Sequence, residues 1–520
     1  MIEDTRTDPL PAARERSALE RLFRSPASRA WWLFALTGLL LFTGLGVVDL
    51  WTLEGRWGLI CQEMLRSGDY VHPWLIDRPY YDKPLLSYWL MVGLARVLGT
   101  LDGWALRLPS AFSGMLAVWC TYRLGNRLFG REAGLLAGLM LATTFYFVFW
   151  GRVASADMMT VAGVASAVTW YVERQDRPGF LFHLTFFSIL ALTSLTKGLI
   201  GAVIPVLVLL PSLFRGWRAH LRWTTLLAAL PAALLYLAAF AISGPGGGEL
   251  GMLGGLYMVF RENVERFFRP FDHEGSIFTY FVYLPLFFLP WTLFFPFAVW
   301  AVASEWKRSG PGMRWAAWAS LVIFAFLTAS GSRRSYYVLP LLPFVALLTA
   351  GWVYPPEGCR PRLRRAALWL AAASGVILIA WFGVIRPLAS QVTGMRLLAR
   401  EVRAVLEREG PPERWQFVFW QGPRQTAAFY LSPHRRGEWL ESGGDQGVAP
   451  LRAALAENPR TAIVTERRNR EQVLPLLTDP LEIEMKNWRT LLERMSGLPG
   501  SLRSSSFREK NLVVFLPRLE

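Results

Sequence analysis

Charged residues and cysteine are both scarce in this chain of 520 residues. Only 18% of the residues are charged whereas 53% are hydrophobic, and this balance excludes an ordinary soluble globular protein, in which roughly 25% of residues are charged. The three cysteines, Cys61, Cys120 and Cys359, lie far apart in the sequence. Their spacing therefore predicts neither a disulfide framework nor a cysteine-ligated metal site.

Acidic residues are the minority among the charges, with 39 Asp and Glu against 55 Lys and Arg and a net charge of +16. In a soluble protein such an excess would suggest a nucleic-acid partner. Here the basic residues are scattered among short loops instead of forming one patch, as in membrane proteins whose cytoplasmic loops are rich in arginine. We therefore predict no nucleic-acid partner.

Long apolar runs dominate the chain between residues 31 and 385. They approach the length of about 20 residues that an α-helix needs to cross a bilayer. The 24 Trp and 34 Phe suit membrane interfaces and lipid-facing surfaces. The pattern predicts a polytopic α-helical membrane protein with about 11–13 transmembrane helices. The predicted spans are 31–48, 105–122, 132–149, 157–172, 181–196, 198–214, 223–242, 279–303, 315–330, 336–353 and 366–385.

The apolar segment 84–99 leaves the topology open, because it suits either a short span or an amphipathic helix that lies on the membrane surface. With this segment on the surface and the N-terminus inside, the loops between residues 123 and 365 carry 15 positive charges on the inner side and seven on the outer side. This arrangement satisfies the positive-inside rule, and counting the segment as a span would violate it. We therefore predict that segments 51–104, 150–157, 243–278 and 331–335 share the outer face.

Composition divides the chain into three parts. Residues 1–30 are polar and basic and are predicted to be a cytoplasmic segment before an uncleaved signal anchor. Residues 31–385 form the predicted transmembrane domain, with the outer-face loop 51–104. Residues 390–520 lack a run long enough to span a bilayer and are predicted to form a soluble α/β domain on the outer side. Its predicted strands are 416–420 (QFVFW), 461–465 (TAIVT) and 511–516 (NLVVFL), and its predicted helices are 396–408, 449–457 and 470–477.

Two carboxylates at predicted membrane boundaries are the candidate catalytic residues. Glu54 follows the first span, and Asp157 lies where an outer turn becomes the next span in GRVASADMMT. An ionisable group at this depth is costly and by default marks a functional site, where it could orient or deprotonate a substrate. The alternatives are a solvated acid at a helix end for Glu54 and a boundary acid paired with Arg152 for Asp157. Asp49 is a weaker candidate at the first boundary.

Four cations on the predicted outer face are candidate ligands of a phosphate. Lys83 precedes the surface segment, Lys197 interrupts two apolar runs in SLTKGLIG, and Arg333 and Arg334 do the same in GSRRSYYVLP. The positive-inside rule disfavours cations on the outer face. Their presence there therefore favours an anionic ligand that requires them. Contacts with ordinary lipid headgroups, and for Lys83 a local ion pair with Asp82, are the alternatives.

The 243–278 loop opens with a glycine-rich stretch and continues with the polar sequence ENVERFFRPFDHEG. Glu262, Asn263, Arg266 and His273 form a polar cluster between two predicted spans. His273 could be a general base or a metal ligand, so a divalent metal is conceivable although no second ligand motif accompanies it. The glycines are not flanked by a strand and a helix, so they do not form a phosphate-binding loop.

Seven segments, in this order, resemble the polyprenyl-phosphate-sugar glycosyltransferases of the GT-C fold, in the superfamily of aminoarabinose (lipid A) transferases and protein O-mannosyltransferases. The resemblance covers residues 31–353 approximately and leans towards the aminoarabinose branch. The segments are LEGRWGLICQEMLRSGDYVHPWL, YYDKPLLSYWL, LRLPSAFSGMLAVWCTYRLGNRLFGREAGLLAGLML, SADMMT, LTKGLIG, ENVERFFRPFDH and SRRSYYVLPLLP. Within them, Tyr81, Asp82, Glu262, Asn263, His273 and Tyr336 are the predicted substrate-binding residues.

The resemblance implies a sugar donor linked to a polyprenyl phosphate, a site that faces the periplasm of a bacterial inner membrane, and an inverting displacement at the anomeric carbon. The acceptor would be lipid A, a protein or another glycan, and membrane lipids would surround the protein. The family's acidic pair Asp-Glu falls on Leu53 and Glu54, its second acid on Asp157, and its Glu-Lys-Pro element on residues 82–84. Leu53 is the main departure, since a leucine cannot accept a proton.

Two other functions fit parts of the same pattern. A transporter or flippase of lipid-linked sugars would also place polar residues in the membrane, although the sequence has no inverted repeat. A scaffold that has lost its catalytic acid would explain Leu53.

Overall fold

The structure is a computed structural model and describes residues 26–76, 78–220, 222–243, 257–271, 274–355, 358–411, 414–421, 425–431, 447–487 and 511–518. Helices account for most of these residues. The first eleven helices are α1 Pro26–Phe42, α2 Glu54–Ser67, α3 Leu86–Leu98, α4 Gly103–Phe129, α5 Arg131–Ala142, α6 Phe145–Gly151, α7 Asp157–Arg174, α8 Phe180–Lys197, α9 Ile200–Arg215, α10 Trp217–His220 and α11 Trp223–Ser243.

A short helical segment, 261–268, precedes the second half of the helical part. The helices that follow are α12 Thr279–Phe287, α13 Phe295–Ser304, α14 Pro311–Ala329, α15 Leu342–Val353, α16 Pro361–Ile379 and α17 Arg386–Val392. A tight 3-10 helix, Ser335–Leu341, leads into α15. In the loop that follows α2, the two-residue strands β1 Trp74–Leu75 and β2 Arg78–Pro79 pair antiparallel.

Five helical stretches of the described chain are long and apolar enough to cross a membrane, or seven if each sharply bent pair is one span. The bends lie between α5 and α6, at 67°, and between α12 and the helices 291–304, at 110°. Helices α1, α3 and α9 are apolar but shorter. Helix α3 has 13 residues and is therefore about 20 Å long, which is less than the thickness of a bilayer core.

One large apolar core joins α1 and α4–α9 to α12–α16. Helix α4 runs through its centre and makes extensive contacts with α5 and α7. Asp102 starts this helix as its N-cap, since its carboxylate accepts the backbone N–H groups of Trp104 and Ala105 at 2.8 and 3.1 Å. Satisfying these donors fixes the point at which the outer loop turns into α4.

The C-terminal part contains a four-stranded mixed sheet. Its strands are β3 Gln416–Trp420, β4 Thr461–Glu466, β5 Leu481–Glu484 and β6 Leu512–Leu516, in the spatial order β3-β4-β6-β5. β3 and β4 are parallel, and the other two pairs are antiparallel. The helices are α18 Met395–Glu409, α19 Gln425–Leu431, α20 Ala449–Glu457 and α21 Arg470–Val473. Three strands match the predicted ones closely, and β5, with its charged LEIE sequence, was not predicted.

The C-terminal part packs directly against the segment between α1 and α4. Asp49 accepts the backbone N–H groups of Met395 and Arg396 at 2.5 and 3.3 Å, so a residue of the first loop caps the start of α18. Helix α19 lies on α2, and a Cβ atom on Gly55 would lie 2.5 Å from the backbone nitrogen of Thr426. Glycine is required there because the two helices touch through their backbones. The outer loop and the C-terminal part therefore form a continuous surface.

Candidate functional site

Glu54 begins α2 and is completely buried. One carboxylate oxygen accepts the Nε–H of Arg107 and the backbone N–H of Ala154, both at 2.7 Å. The other accepts an Nη2–H of Arg107 at 2.7 Å and the backbone N–H of Trp51 at 2.6 Å. A carboxylate offers about four lone-pair positions, so this one is saturated.

Arg107, on α4, is likewise buried, and its donors are fully used. Besides its two bonds to Glu54, it donates to the backbone carbonyls of Leu45, Val48 and Asp49 at 2.7–2.8 Å. The pair therefore fastens the chain that follows α1 to α4 and to the turn before α7. The predicted catalytic role of Glu54 does not fit this geometry, because the carboxylate is sealed from solvent and both of its oxygens are engaged. Its burial and its bonds are those of a structural anchor.

A second ion pair joins Asp157, in the first turn of α7, to Lys197, the last residue of α8. Both side chains are largely buried, with exposed fractions of 9% and 13%. The Lys197 ammonium also lies 4.3 Å from the centroid of the Tyr337 ring and 5.6 Å from that of Tyr336, which are cation–π distances. Arg152 takes no part in this pair, since it donates to backbone carbonyls at the end of α1.

The 261–268 segment brings a third pair of charges close to Lys197. Arg266 donates to Glu262 at 2.7 Å. Asn263 accepts the backbone N–H of Leu199 at 2.7 Å and thereby ties the segment to the corner between α8 and α9. Gly198 at this corner has a φ of +120°, and a Cβ atom there would lie 2.4 Å from the Asn263 side-chain oxygen. The positive φ and the lack of room for a Cβ atom therefore both favour a glycine at this corner.

Lys197, its neighbour Tyr337 and the 261–268 segment line one cavity of about 330 Å³, and Asp157 lies behind Lys197 without lining it. Its charged lining residues are Asp82, Lys83, Lys197, Glu262 and Arg266. The walls are apolar and aromatic, and they include Leu199, Ile200, Val203, Phe267, Tyr280, Phe326, Leu327 and Tyr337. A cavity with cations at one place and apolar walls elsewhere can hold an amphiphile that carries a phosphate at the end of a hydrocarbon chain.

Lys83 and Asp82 enter the cavity from the loop before α3. The Lys83 ammonium donates to the backbone carbonyl of Asp82 at 3.0 Å and not to its carboxylate. Loss of hydration lowers the pKa of Lys83 to about 8, against an opposing attraction by Glu262. The Asp82 side chain is exposed and forms a hydrogen bond with Tyr80.

The remaining predicted site residues lie elsewhere. The Arg333 guanidinium bonds the carbonyls of Thr328 and Gly275, so it closes the end of α14 instead of lining the cavity. Arg334 donates to the Tyr336 hydroxyl at 2.9 Å, and neither residue lines the cavity. Tyr81 is half-buried and does not line the cavity. The predicted substrate residue His273 lies outside the described residues.

The positions that three residues take in the structure were not predicted from the sequence. Arg266 was assigned to a polar cluster but not to the phosphate ligands, and Tyr337 was passed over for its neighbour Tyr336. Arg107 stands inside the predicted span 105–122, and an arginine within an apolar run is a signal for a buried partner. Among the described residues, no three side chains of His, Cys, Asp or Glu cluster closely enough to hold a metal ion.

The chain is similar in sequence to several known proteins. Residues 82–243 match the family model of dolichyl-phosphate-mannose-protein mannosyltransferases, a range that contains Lys83, Asp157 and Lys197. An undecaprenyl phosphate-α-4-amino-4-deoxy-L-arabinose arabinosyl transferase of Shewanella sediminis is 27% identical over 318 residues, which cover 59% of this chain and 56% of the relative. Its counterpart in Pectobacterium carotovorum is 28% identical over 359 residues, covering 66% and 62%. The matched part therefore spans less than two thirds of either relative.

The fold resembles that of ArnT from Cupriavidus metallidurans. The crystal structure bound to undecaprenyl phosphate superposes with a TM-score of 0.64 at 18% identity, covering 94% of this chain and 98% of that one. The apo structure gives a TM-score of 0.65 at 19% identity with the same coverage. This likeness confirms the predicted polytopic α-helical membrane fold with a C-terminal part that contains a sheet.

Proposed function

From its membership of the GT-C superfamily of aminoarabinose transferases and protein mannosyltransferases, we propose that this chain is a membrane glycosyltransferase. It takes a sugar from a polyprenyl-phosphate donor and passes it to a lipid, protein or glycan acceptor. The single observation that carries the proposal is the cavity in which Lys83, Lys197 and Arg266 meet beside Asp157, with an apolar wall running away from them.

The three cations would hold the donor phosphate, and the apolar wall would hold the first part of the prenyl chain. When the glycosidic bond breaks, its electron pair leaves with the phosphate oxygen. The negative charge that develops there is stabilised by ammonium and guanidinium groups that are already in place. This role needs cations in a partly dehydrated cavity, which is the environment of Lys83.

Asp157 is the carboxylate that would act on the acceptor. As the acceptor oxygen bonds to the anomeric carbon, its proton would pass to the Asp157 carboxylate. Before the donor binds, Asp157 is paired with Lys197. An arriving phosphate competes for that ammonium and would release the carboxylate, so donor binding and base activation are linked. Glu54 would act only as a positioning residue, through Arg107 and the loop that it fastens.

The cavity would face the periplasmic side of a bacterial inner membrane. The excess of positive charges on the opposite loops supports this orientation. The relatives named above come from bacteria and act on an undecaprenyl-phosphate sugar according to their names, which supports a donor of the same class.

Sugar transfer in membranes tests the proposal directly. Membranes that contain the wild-type chain or Asp157→Asn would be supplied with a labelled polyprenyl-phosphate sugar, and the label recovered in new glycosidic bonds would be measured. We expect Asp157→Asn to lower the rate by about 10²–10⁴-fold, the range of general base catalysis. Asp176→Asn is the matched control, because Asp176 is 72% exposed and pairs with Arg127 at the opposite ends of the helices.

Full activity in Asp157→Asn would contradict the assigned role. Movement of the labelled lipid across the bilayer without any new glycosidic bond would identify a transporter instead.

A further inference from the structure

A second cleft, of about 420 Å³, lies where the outer loop meets the C-terminal part. It shares no lining residue with the cavity of the proposed donor site. It is bounded by α2, the turn before α4, α18 and α19. The lining residues are Gln62, Leu65, Leu101, Asp102, Gly103, Arg396, Ala399, Arg400, Arg403, Phe429 and Tyr430.

Three arginines of α18 face this cleft. Arg396, Arg400 and Arg403 are spaced i, i+4 and i+7, so they form one stripe along the helix. The adjacent face of α18 is apolar and buried against the sheet, with Leu398 and Val402 among its core residues. The fold thus fixes the direction of the arginine stripe.

The charges in the cleft do not balance. Arg396 is partly compensated, since it donates to the Gly46 carbonyl at 2.9 Å and lies 3.9 Å from Asp49. Arg403 donates to the Tyr430 carbonyl at 2.5 Å and forms no ion pair with the described part of the chain. Arg400 has neither a hydrogen bond nor an ion pair with any described residue. The one carboxylate that lines the cleft, Asp102, is committed to the start of α4.

Aromatic and apolar side chains form the other wall. Phe429 and Tyr430 on α19 stand beside Leu65 and Leu101. An aromatic wall suits the C–H face of a sugar ring or the apolar part of a lipid headgroup, and guanidinium groups suit a phosphate, which they bind in a bidentate manner. A cleft of several hundred Å³ with a few convergent polar groups has the dimensions of a ligand site.

We propose that this cleft binds the phosphate of a phosphorylated saccharide or of an anionic lipid headgroup, with Arg400 and Arg403 as its principal ligands. The inference goes beyond the proposed transferase function, since it requires no sugar transfer. A merely solvated basic face would not be concave, would not be walled by aromatic residues and would not be built from two distant parts of the chain.

Binding measurements on the full-length chain in nanodiscs test this proposal. Lys83→Gln serves as the background throughout, so that the proposed donor cavity contributes little to anion binding. Inorganic phosphate and glucose 6-phosphate are titrated in phosphatidylcholine nanodiscs, and retained phosphatidylglycerol is measured by native mass spectrometry in mixed nanodiscs. Tighter binding of glucose 6-phosphate than of phosphate identifies a saccharide ligand, and selective retention of phosphatidylglycerol identifies a lipid headgroup.

The decisive comparison is between Arg400→Glu and Arg408→Glu. Both residues are exposed on α18 and undergo the same change of charge, but Arg408 does not line the cleft. We expect Arg400→Glu to weaken binding of the preferred probe by about tenfold or more, because it replaces a charge-assisted hydrogen bond with a repulsion, and Arg408→Glu to change it by less than about twofold. Equal effects of the two variants, or no binding of any probe, would overturn the proposal. Thermal unfolding of each variant shows that the chain remains folded.

Discussion

Two buried ion pairs flank the start of α7, and they differ in what else surrounds them. The Glu54–Arg107 pair is enclosed by backbone N–H and C=O groups, which use all of the remaining donors and acceptors. In the Asp157–Lys197 pair, the Asp157 carboxylate is bonded to the Lys197 ammonium, and Lys197 borders a cavity. Both pairs combine an acid and a base that the sequence places near a membrane boundary.

The difference distinguishes an ion pair that only stabilises the fold from one that can take part in catalysis. A saturated pair cannot exchange a partner without leaving a buried charge behind, so it holds the loop in one place. A pair that borders a cavity can exchange a partner for a ligand or for water at lower cost. The second arrangement is the one expected of a catalytic carboxylate, and it is why Asp157 replaces Glu54 as the proposed base.

Removing the cation from each pair should affect stability very differently. Arg107→Gln leaves the fully buried Glu54 carboxylate without its bidentate partner, and we expect a loss of about 3–5 kcal/mol of stability. Lys197→Gln is the matched variant, and we expect a smaller loss from it because the Asp157 side chain is 9% exposed whereas that of Glu54 is fully buried. Thermal unfolding of the two variants in the same detergent measures the contrast. Equal losses would mean that Asp157 is no better hydrated than Glu54.

A single methyl group at Gly198, in the corner between α8 and α9, should lower the stability of the protein. Gly198→Ala places a Cβ atom against the Asn263 oxygen at a φ of +120°, and we expect it to cost about 1–3 kcal/mol and to separate the 261–268 segment from Lys197. Gly179→Ala is the control, because a Cβ atom there meets nothing within 4 Å. Unfolding temperature and donor affinity are the measurements. Equal stability of the Gly198→Ala and Gly179→Ala variants would show that the corner can relax.

Binding of the donor in the cavity should depend on pH. Because the pKa of Lys83 is lowered to about 8, the ammonium that would hold the phosphate is fully charged below this pH and is lost as the pH rises through it. We expect donor binding to be about tenfold weaker at pH 9 than at pH 7, from the proton linkage of a single group. Lys83→Arg should abolish this dependence, since a guanidinium stays charged throughout. Measured dissociation constants that do not change between pH 7 and 9 in the wild type would exclude Lys83 as a ligand.

Periodicity and composition were enough to predict most elements of the fold. The predicted strand 416–420 coincides with β3, and the predicted helix 449–457 coincides with α20. Apolar runs were the signal for the helices, although 132–149 and 279–303 proved to be sharply bent pairs. Pro290 lies at the second bend, and a proline cannot continue a regular helix, but a count of apolar residues does not register it. Strand β5 was missed although LEIE alternates between apolar and polar residues, because the run is only four residues long and glutamate is disfavoured in strands.

The roles of the site residues were predicted less well than their positions. Asp157, Lys197 and Lys83 lie together as the pattern of outer-face charges suggested. Glu54 and Arg333 were assigned by the same reasoning, and both are committed to internal bonds. Whether a charge faces a cavity or the core depends on partners such as Arg107, 53 residues away from Glu54, and no local pattern identifies them.

Hydrophobic runs, periodicity and loop charge in the sequence predict a membrane protein, most of its helices and three strands of its mixed sheet, and a shared face for the acids and cations of the proposed site. These signals act locally, so they can be read along the chain. The tertiary structure shows that Glu54 is sealed, that Asp157 is paired with a lysine that borders a cavity, and that α18 directs three arginines into a cleft. Those outcomes depend on distant backbone groups that meet a side chain only after the chain has folded.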